Sequence, residues 1–136
     1  MIVVDTSVLV SAADKDEPRH GTCAELLRRR RGELVVPAPV VAEASWMIES
    51  RLGPVAEARF LRAVAAGDLP VADLRADDYL RCAELVDRYS DLGLGLVDAS
   101  VVTVAENMTV STIATFNHRD FTVVRPRHVE AFELLP

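Results

Sequence analysis

Ile2-Val3-Val4-Asp5-Thr6-Ser7-Val8-Leu9 changes character in the middle. Three β-branched residues in a row read as a buried strand. Asp5-Thr6-Ser7 then stops that run, and Val8, Leu9 and Ala12 follow at helical spacing. A short, wholly apolar strand that hands the chain to a helix is the opening of a strand–helix–strand unit with parallel strands. Asp5 then stands at the strand's carboxyl end, which is where open α/β sheets bind ligands.

The same alternation continues. His20 to Arg31 reads as a helix stopped by Gly32, and Leu34-Val35-Val36 as a second strand closed by Pro37. Pro39 opens a helix with Val40, Ala44, Met47 and Ile48 on one face, and Gly53-Pro54 breaks it. A helix with Leu61, Val64 and Ala65 inward runs to Gly67. Leu69 to Leu74 holds a short strand that Pro70 confines to an edge. Asp77 to Tyr89 reads as a helix with Tyr79, Ala83 and Val86 on its stripe. After Gly93 and Gly95 comes another helix, with Val97, Val101, Val104, Ala105 and Met108 inward. Val110 to Ala114 and Phe121 to Val124 read as strands, and Pro126 to Pro136 as an irregular or short helical end. The expected fold is a three-layer α/β/α sandwich around a central parallel sheet, in one domain spanning residues 1–136.

Composition fits a globular chain of 136 residues, half of them hydrophobic. Ile2 to Ala13 is too short to span a bilayer and carries Asp5, so no membrane role and a cytoplasmic setting are expected. Cys23 and Cys82 lack metal-site spacing and read as buried or half-buried free thiols. The net charge of −6 argues against a protein that grips nucleic acid by a basic surface alone. It does not argue against a cluster of carboxylates whose positive charge is a bound cation.

Four carboxylates invite that second reading, each beside a plain structural alternative. Asp5 caps the following helix or serves a site, and Thr6 and Ser7 could cap equally well. Glu43 borders the apolar stripe between Val40 and Met47, and either reaches water or is held by a cation. Asp98 lies in a helix's first turn, where the macrodipole favours it, but follows a glycine loop among small neighbours. Asp120 joins the site or is a turn residue. The strand before it delivers Thr115 and Asn117 to the same edge. His118 reads as an exposed loop histidine, Arg28 to Arg31 as a solvated helix end, and Trp46 as a packing residue. Brought together, carboxylates repel and raise at least one pKa. Oxygen-only ligands favour magnesium or manganese over zinc.

Val3-Val4-Asp5-Thr6-Ser7-Val8-Leu9, Glu43 on its helix, Leu96-Val97-Asp98-Ala99-Ser100 and Ile113-Ala114-Thr115-Phe116-Asn117-His118-Arg119-Asp120-Phe121, in that order, resemble the PIN-domain family. Length and order are similar to the VapC toxins of bacterial toxin–antitoxin pairs. The resemblance implies an α/β/α fold and metal-dependent endonucleolytic cutting of RNA with Mg2+ or Mn2+. It also implies a homodimer and a small antitoxin partner that blocks the site. Asp5 and Asp98 match the family's metal-binding aspartates, and Glu43 its acidic partner. The family's fourth acidic position falls at Asn117, with Asp120 three residues on as the available carboxylate. That departure keeps a second reading in play, a non-catalytic PIN-like module that binds RNA or antitoxin. An acidic pocket further suggests that the antitoxin inserts an arginine. An aspartate-nucleophile phosphatase would want Asp where Ser7 stands. A receiver-type signalling domain would want a crevice lysine, and the sole lysine is Lys15.

Overall fold

The computed structural model describes all residues, Met1–Pro136. Five strands, β1 (Ile2–Val4), β2 (Leu34–Pro37), β3 (Val71–Ala72), β4 (Thr112–Ala114) and β5 (Glu133–Leu135), form one sheet in the order β3-β2-β1-β4-β5. Every pairing is parallel. Ile2, Val3 and Val4 are all fully buried although they point alternately to opposite faces, so helices cover both faces of the centre. Those helices are α1 (Thr6–Ala13), α2 (His20–Arg29), α3 (Ala38–Leu52), α4 (Pro54–Ala65), α5 (Ala76–Arg88), α6 (Leu96–Met108) and α7 (His118–Val123). The α/β sandwich expected from the alternating segments is the fold observed.

Strand order has a functional consequence. From β1 the chain steps outward to β2 and β3, then returns across the sheet to β4 on the other side of β1. The carboxyl ends of β1 and β4 therefore flank the switch point, where adjacent connections leave in opposite directions and open a crevice. Register pairs Val4 with Ala114, which puts Asp5 beside Thr115.

Two segments differ from expectation. Phe121 to Val124 is not a strand: residues 118–123 form α7. Its β-branched run is overruled by Asn117, whose side chain accepts the Asp120 N–H as an N-cap. The tail is not irregular or helical throughout, because Glu133–Leu135 pairs with β4 in register from Thr112 to Ala114. Without β5, β4 would present an open edge.

Stripe phases also shift. On α5 the buried residues are Cys82 and Leu85, while Tyr79, Ala83 and Val86 face outward. Asp78 accepts the Asn107 amide N–H at 2.7 Å and Cys82 Sγ meets Thr103 Oγ1 at 3.5 Å, so contacts with α6 hold the helix one position round from the expected stripe. On α4 Phe60 faces the core, and Leu61 and Ala65 are exposed. Met108 is exposed at the end of α6. Trp46 is 68% exposed and packs nowhere, against its reading as a packing residue. Arg28, Arg29, Arg30 and Arg31 are answered by Glu25, Glu33 and Asp68, a solvated helix end as expected. Cys23 and Cys82 are free and buried. No helix is long and apolar enough to cross a membrane.

Candidate active site

Asp5 follows β1 and begins α1, so it is cap and crevice residue at once. Its Oδ1 accepts the Thr6 N–H at 2.8 Å, and its Oδ2 accepts the Thr115 hydroxyl at 2.7 Å. The carboxyl is 5% exposed. Burial pushes its pKa up, the two hydrogen bonds pull it down, and the Glu43 charge adds to the rise; the net direction is upward.

Asp98 sits in the first turn of α6 behind Gly95. Its pKa is raised from 3.8 to about 6, first by burial and then by the charges of Asp5, Asp120 and Glu43. That ordering is geometric information. Asp98 feels three other carboxylates from three other elements, and Asp5 feels Glu43 as well. Glu43, from α3, is exposed at the rim. Asp5, Glu43 and Asp120 thus lie near enough to Asp98 for their charges to act on it.

No arginine, lysine or histidine forms an ion pair with Asp5, Glu43 or Asp98; Arg119 reaches only Asp120, at 3.5 Å. The charge of these three carboxylates is thus uncompensated within the chain. No three His, Cys, Asp or Glu side chains close into metal-ligand spacing, so the set is a coulombic neighbourhood and not a finished chelate. Its donor chemistry, oxygen only and strongly negative, fits a hard divalent cation. The Thr6 hydroxyl, next to Asp5, is buried without a partner in the chain. A buried hydroxyl left so costs about 1–3 kcal/mol, which a ligand or water at this spot would recover.

Three supporting roles were not legible in the sequence. Thr115 anchors Asp5 and, through the same oxygen, accepts the Asn117 N–H at 3.0 Å. Ser7 accepts the Phe116 N–H at 3.1 Å, tying α1 to the loop after β4. Asn117 caps α7 with its amide oxygen and donates its amide N–H to Asp120 Oδ2 at 3.0 Å. One signal could have found the last: Asn117-x-x-Asp120 has the spacing of a reciprocal helix start. The His118 side chain is exposed, with Nε2 against the Thr115 carbonyl at 2.9 Å.

The chain matches the PIN domain model over residues 2–125. It is 33% identical over 135 residues to ribonuclease VapC26 of Mycobacterium tuberculosis, covering 99% of this chain and all of that protein. Two solved structures share the fold. The sarcin–ricin-loop-cleaving toxin VapC20 of M. tuberculosis has a TM-score of 0.78 at 21% identity, over 83% of this chain and 87% of that one. VapBC2 of Rickettsia felis, bound to a promoter DNA fragment, has a TM-score of 0.68 at 20% identity over 100% of both chains. A family model over most of the chain and a full-length relative at this identity settle the family: this chain belongs to the PIN-domain family and is homologous to the VapC toxin ribonucleases.

Proposed function

We propose that this chain is the toxin of a toxin–antitoxin pair, a magnesium-dependent endoribonuclease for which manganese can substitute. One observation carries the reading: carboxylates from four elements converge at the switch point of the sheet, and three of them have no cationic partner within the chain.

In this reading Asp5 and Asp98 are the metal ligands, and Glu43 and Asp120 complete the negative set. When bound, a divalent cation supplies a water of lowered pKa and positive charge against the developing charge on phosphate. The chain's part is positioning. Thr115 and the Thr6 N–H hold both oxygens of Asp5 in place. Asn117 holds Asp120. Glu43, exposed on α3, adds negative charge that acts on both aspartates. Hydrolysis adds water's oxygen to phosphorus and releases the RNA oxygen on the opposite side. Asn117 leaves no carboxylate at its own position, and Asp120 is the fourth acid of the set.

The cognate antitoxin would cover this acidic crevice, and an arginine is the side chain best suited to enter it. An apolar groove of about 300 Å³ lined by Leu9, Leu27, Ala56 and Phe60 offers that protein purchase between α1, α2 and α4. A homodimer and a cytoplasmic setting belong to the same reading.

The test is RNA cleavage by purified protein with Mg2+, with Mn2+ and with chelator, beside Asp98→Asn. Cleavage that needs metal and is lost in the variant is expected. If there is no cleavage of a broad RNA pool and no thermal response to metal, the chain is a binding module instead.

A further inference from the structure

The groove between α1 and α3 does not end at the carboxylates. Ser7, Val10 and Ser11 share one face of α1, at spacings of three and four residues after Asp5's turn. Glu43, Met47 and Arg51 share one face of α3, at spacings of four. With Glu17, Arg19 and Phe116, all of these except Glu43 line a cavity of about 170 Å³. Glu43 and Arg51 are eight residues apart on one helix, about 12 Å along its axis. The cavity is therefore a continuation of the acidic crevice, and its charge is reversed: two arginines against one glutamate.

Neither arginine is engaged elsewhere. Arg19 and Arg51 form no ion pair with any acid. The Arg19 guanidinium lies over the Phe116 ring, 4.1 Å from its centroid. A guanidinium stacked on an aromatic face is held in one plane with its edge N–H groups free, the arrangement that suits bidentate binding of phosphate. Phe116 is itself fixed, since its N–H donates to Ser7 Oγ and its neighbour Thr115 anchors Asp5. The cavity is small beside the roughly 300–1,000 Å³ of a drug-sized site, so it admits one group and not a length of chain.

We propose that Arg19 and Arg51 clamp a backbone phosphate of the RNA next to the scissile one, and so hold an anionic polymer against an acidic site. This rests on the ribonuclease reading above. Because a phosphate contact carries no sequence information, the clamp sets register and affinity and leaves base choice to other contacts.

The test is binding of a short labelled single-stranded RNA by anisotropy across a salt series. It is run in an Asp98→Asn background, which preserves the RNA, and compares Arg19→Ala/Arg51→Ala with Arg51→Ala alone. Arg62→Ala, an exposed α4 residue outside the cavity, is the control. The double variant is expected to bind about tenfold more weakly or worse. Its slope of log K against log salt should fall by about 0.7, the value for the one phosphate that the pair neutralises. Arg19→Lys/Arg51→Lys should restore the slope, and Arg62→Ala should match the parent. In otherwise wild-type protein the double change should raise KM and leave kcat nearly unchanged. Equal affinity and slope in parent and double variant would overturn the clamp, as would no RNA binding by the parent. Arg51 is exposed and its side chain makes no ion pair or hydrogen bond, so Arg51→Ala keeps the test meaningful should the double variant unfold. The predicted binding without any cleavage by wild-type protein would sink the ribonuclease reading and leave the two arginines as the phosphate contact of an RNA-binding module.

Discussion

Thr115 Oγ1 donates to Asp5 Oδ2 at 2.7 Å, joining residues 110 positions apart at the ends of two adjacent parallel strands. The bond sets which lone pairs of Asp5 remain for a ligand, and the same hydroxyl oxygen receives the Asn117 N–H. Thr115→Val removes both contacts at nearly constant shape. It should destabilise the fold by about 1–3 kcal/mol, read as a lower Tm. It also removes one of the two bonds that pull the Asp5 pKa down against burial, so half-maximal cleavage should require more metal. Thr115→Ser should restore both readouts. Unchanged metal demand in Thr115→Val would mean the bond is only structural.

The elevated Asp98 carboxyl makes a prediction about metal-free stability. Above about pH 6 Asp98 is ionised in the folded and the unfolded chain, and the fold bears the full burial and repulsion. Below 3.8 it is neutral in both, and the penalty is gone. Asp98→Asn should therefore raise the metal-free Tm at pH 7.5, by about 3–6 °C. That advantage should shrink as pH falls from about 6 and vanish below about 4. With millimolar Mg2+ the order reverses, because only the wild type gains from binding. A variant less stable than wild type in chelator at pH 7.5 would contradict the uncompensated cluster.

Asn117 couples a helix start to a site carboxylate, and two substitutions separate the functions. Asn117→Ala loses the cap and the donor to Asp120, at a cost of about 1 kcal/mol, and should lower both Tm and cleavage. Asn117→Asp keeps an equally good cap but sets a carboxylate against Asp120. Its metal-free Tm should fall while its gain in Tm on adding Mg2+ exceeds that of wild type. Equal gains would show that a carboxylate at position 117 does not share the metal's field.

Far from the crevice, Glu106 accepts from Arg81 at 2.8 and 2.9 Å and from the Arg127 N–H at 2.7 Å, locking α5 and the tail to α6. Burial pushes the Glu106 pKa up, but these bonds and charges outweigh it and hold it below 4.5. The stability it contributes is present above 4.5 and lost as pH falls through the lower folded value. Glu106→Gln should cost about 3 kcal/mol in urea unfolding at pH 7, with the difference narrowing in acid. Cleavage by the folded protein should be unaffected.

Much of this molecule was legible in its residues because the signals are local. Ile2-Val3-Val4 is a buried parallel strand wherever it is placed, and alternation with amphipathic helices leaves few folds to choose from. Asp5, Glu43, Asp98 and Asp120 stood out because each is an acid where an apolar or small residue would serve. Composition and order were also enough to point to the family.

What the sequence left undetermined depended on contacts between distant segments. Phe121 to Val124 has strand composition, and only the cap at Asn117 and the burial of Phe121 make it helical. Glu133 to Leu135 becomes a strand because β4 offers an unpaired edge, which is not a property of those three residues. The one-position rotation of α5 was hidden because apolar residues lie on both candidate stripes. The roles of Thr115 and Ser7 arise from strand register, which places the start of α1 against residues more than a hundred positions away. The sequence by itself determined which groups carry the charge. Tertiary structure alone decided that those charges act on one another and that three of the four have no counter-ion, since repulsion and burial act through space and take no account of separation along the chain.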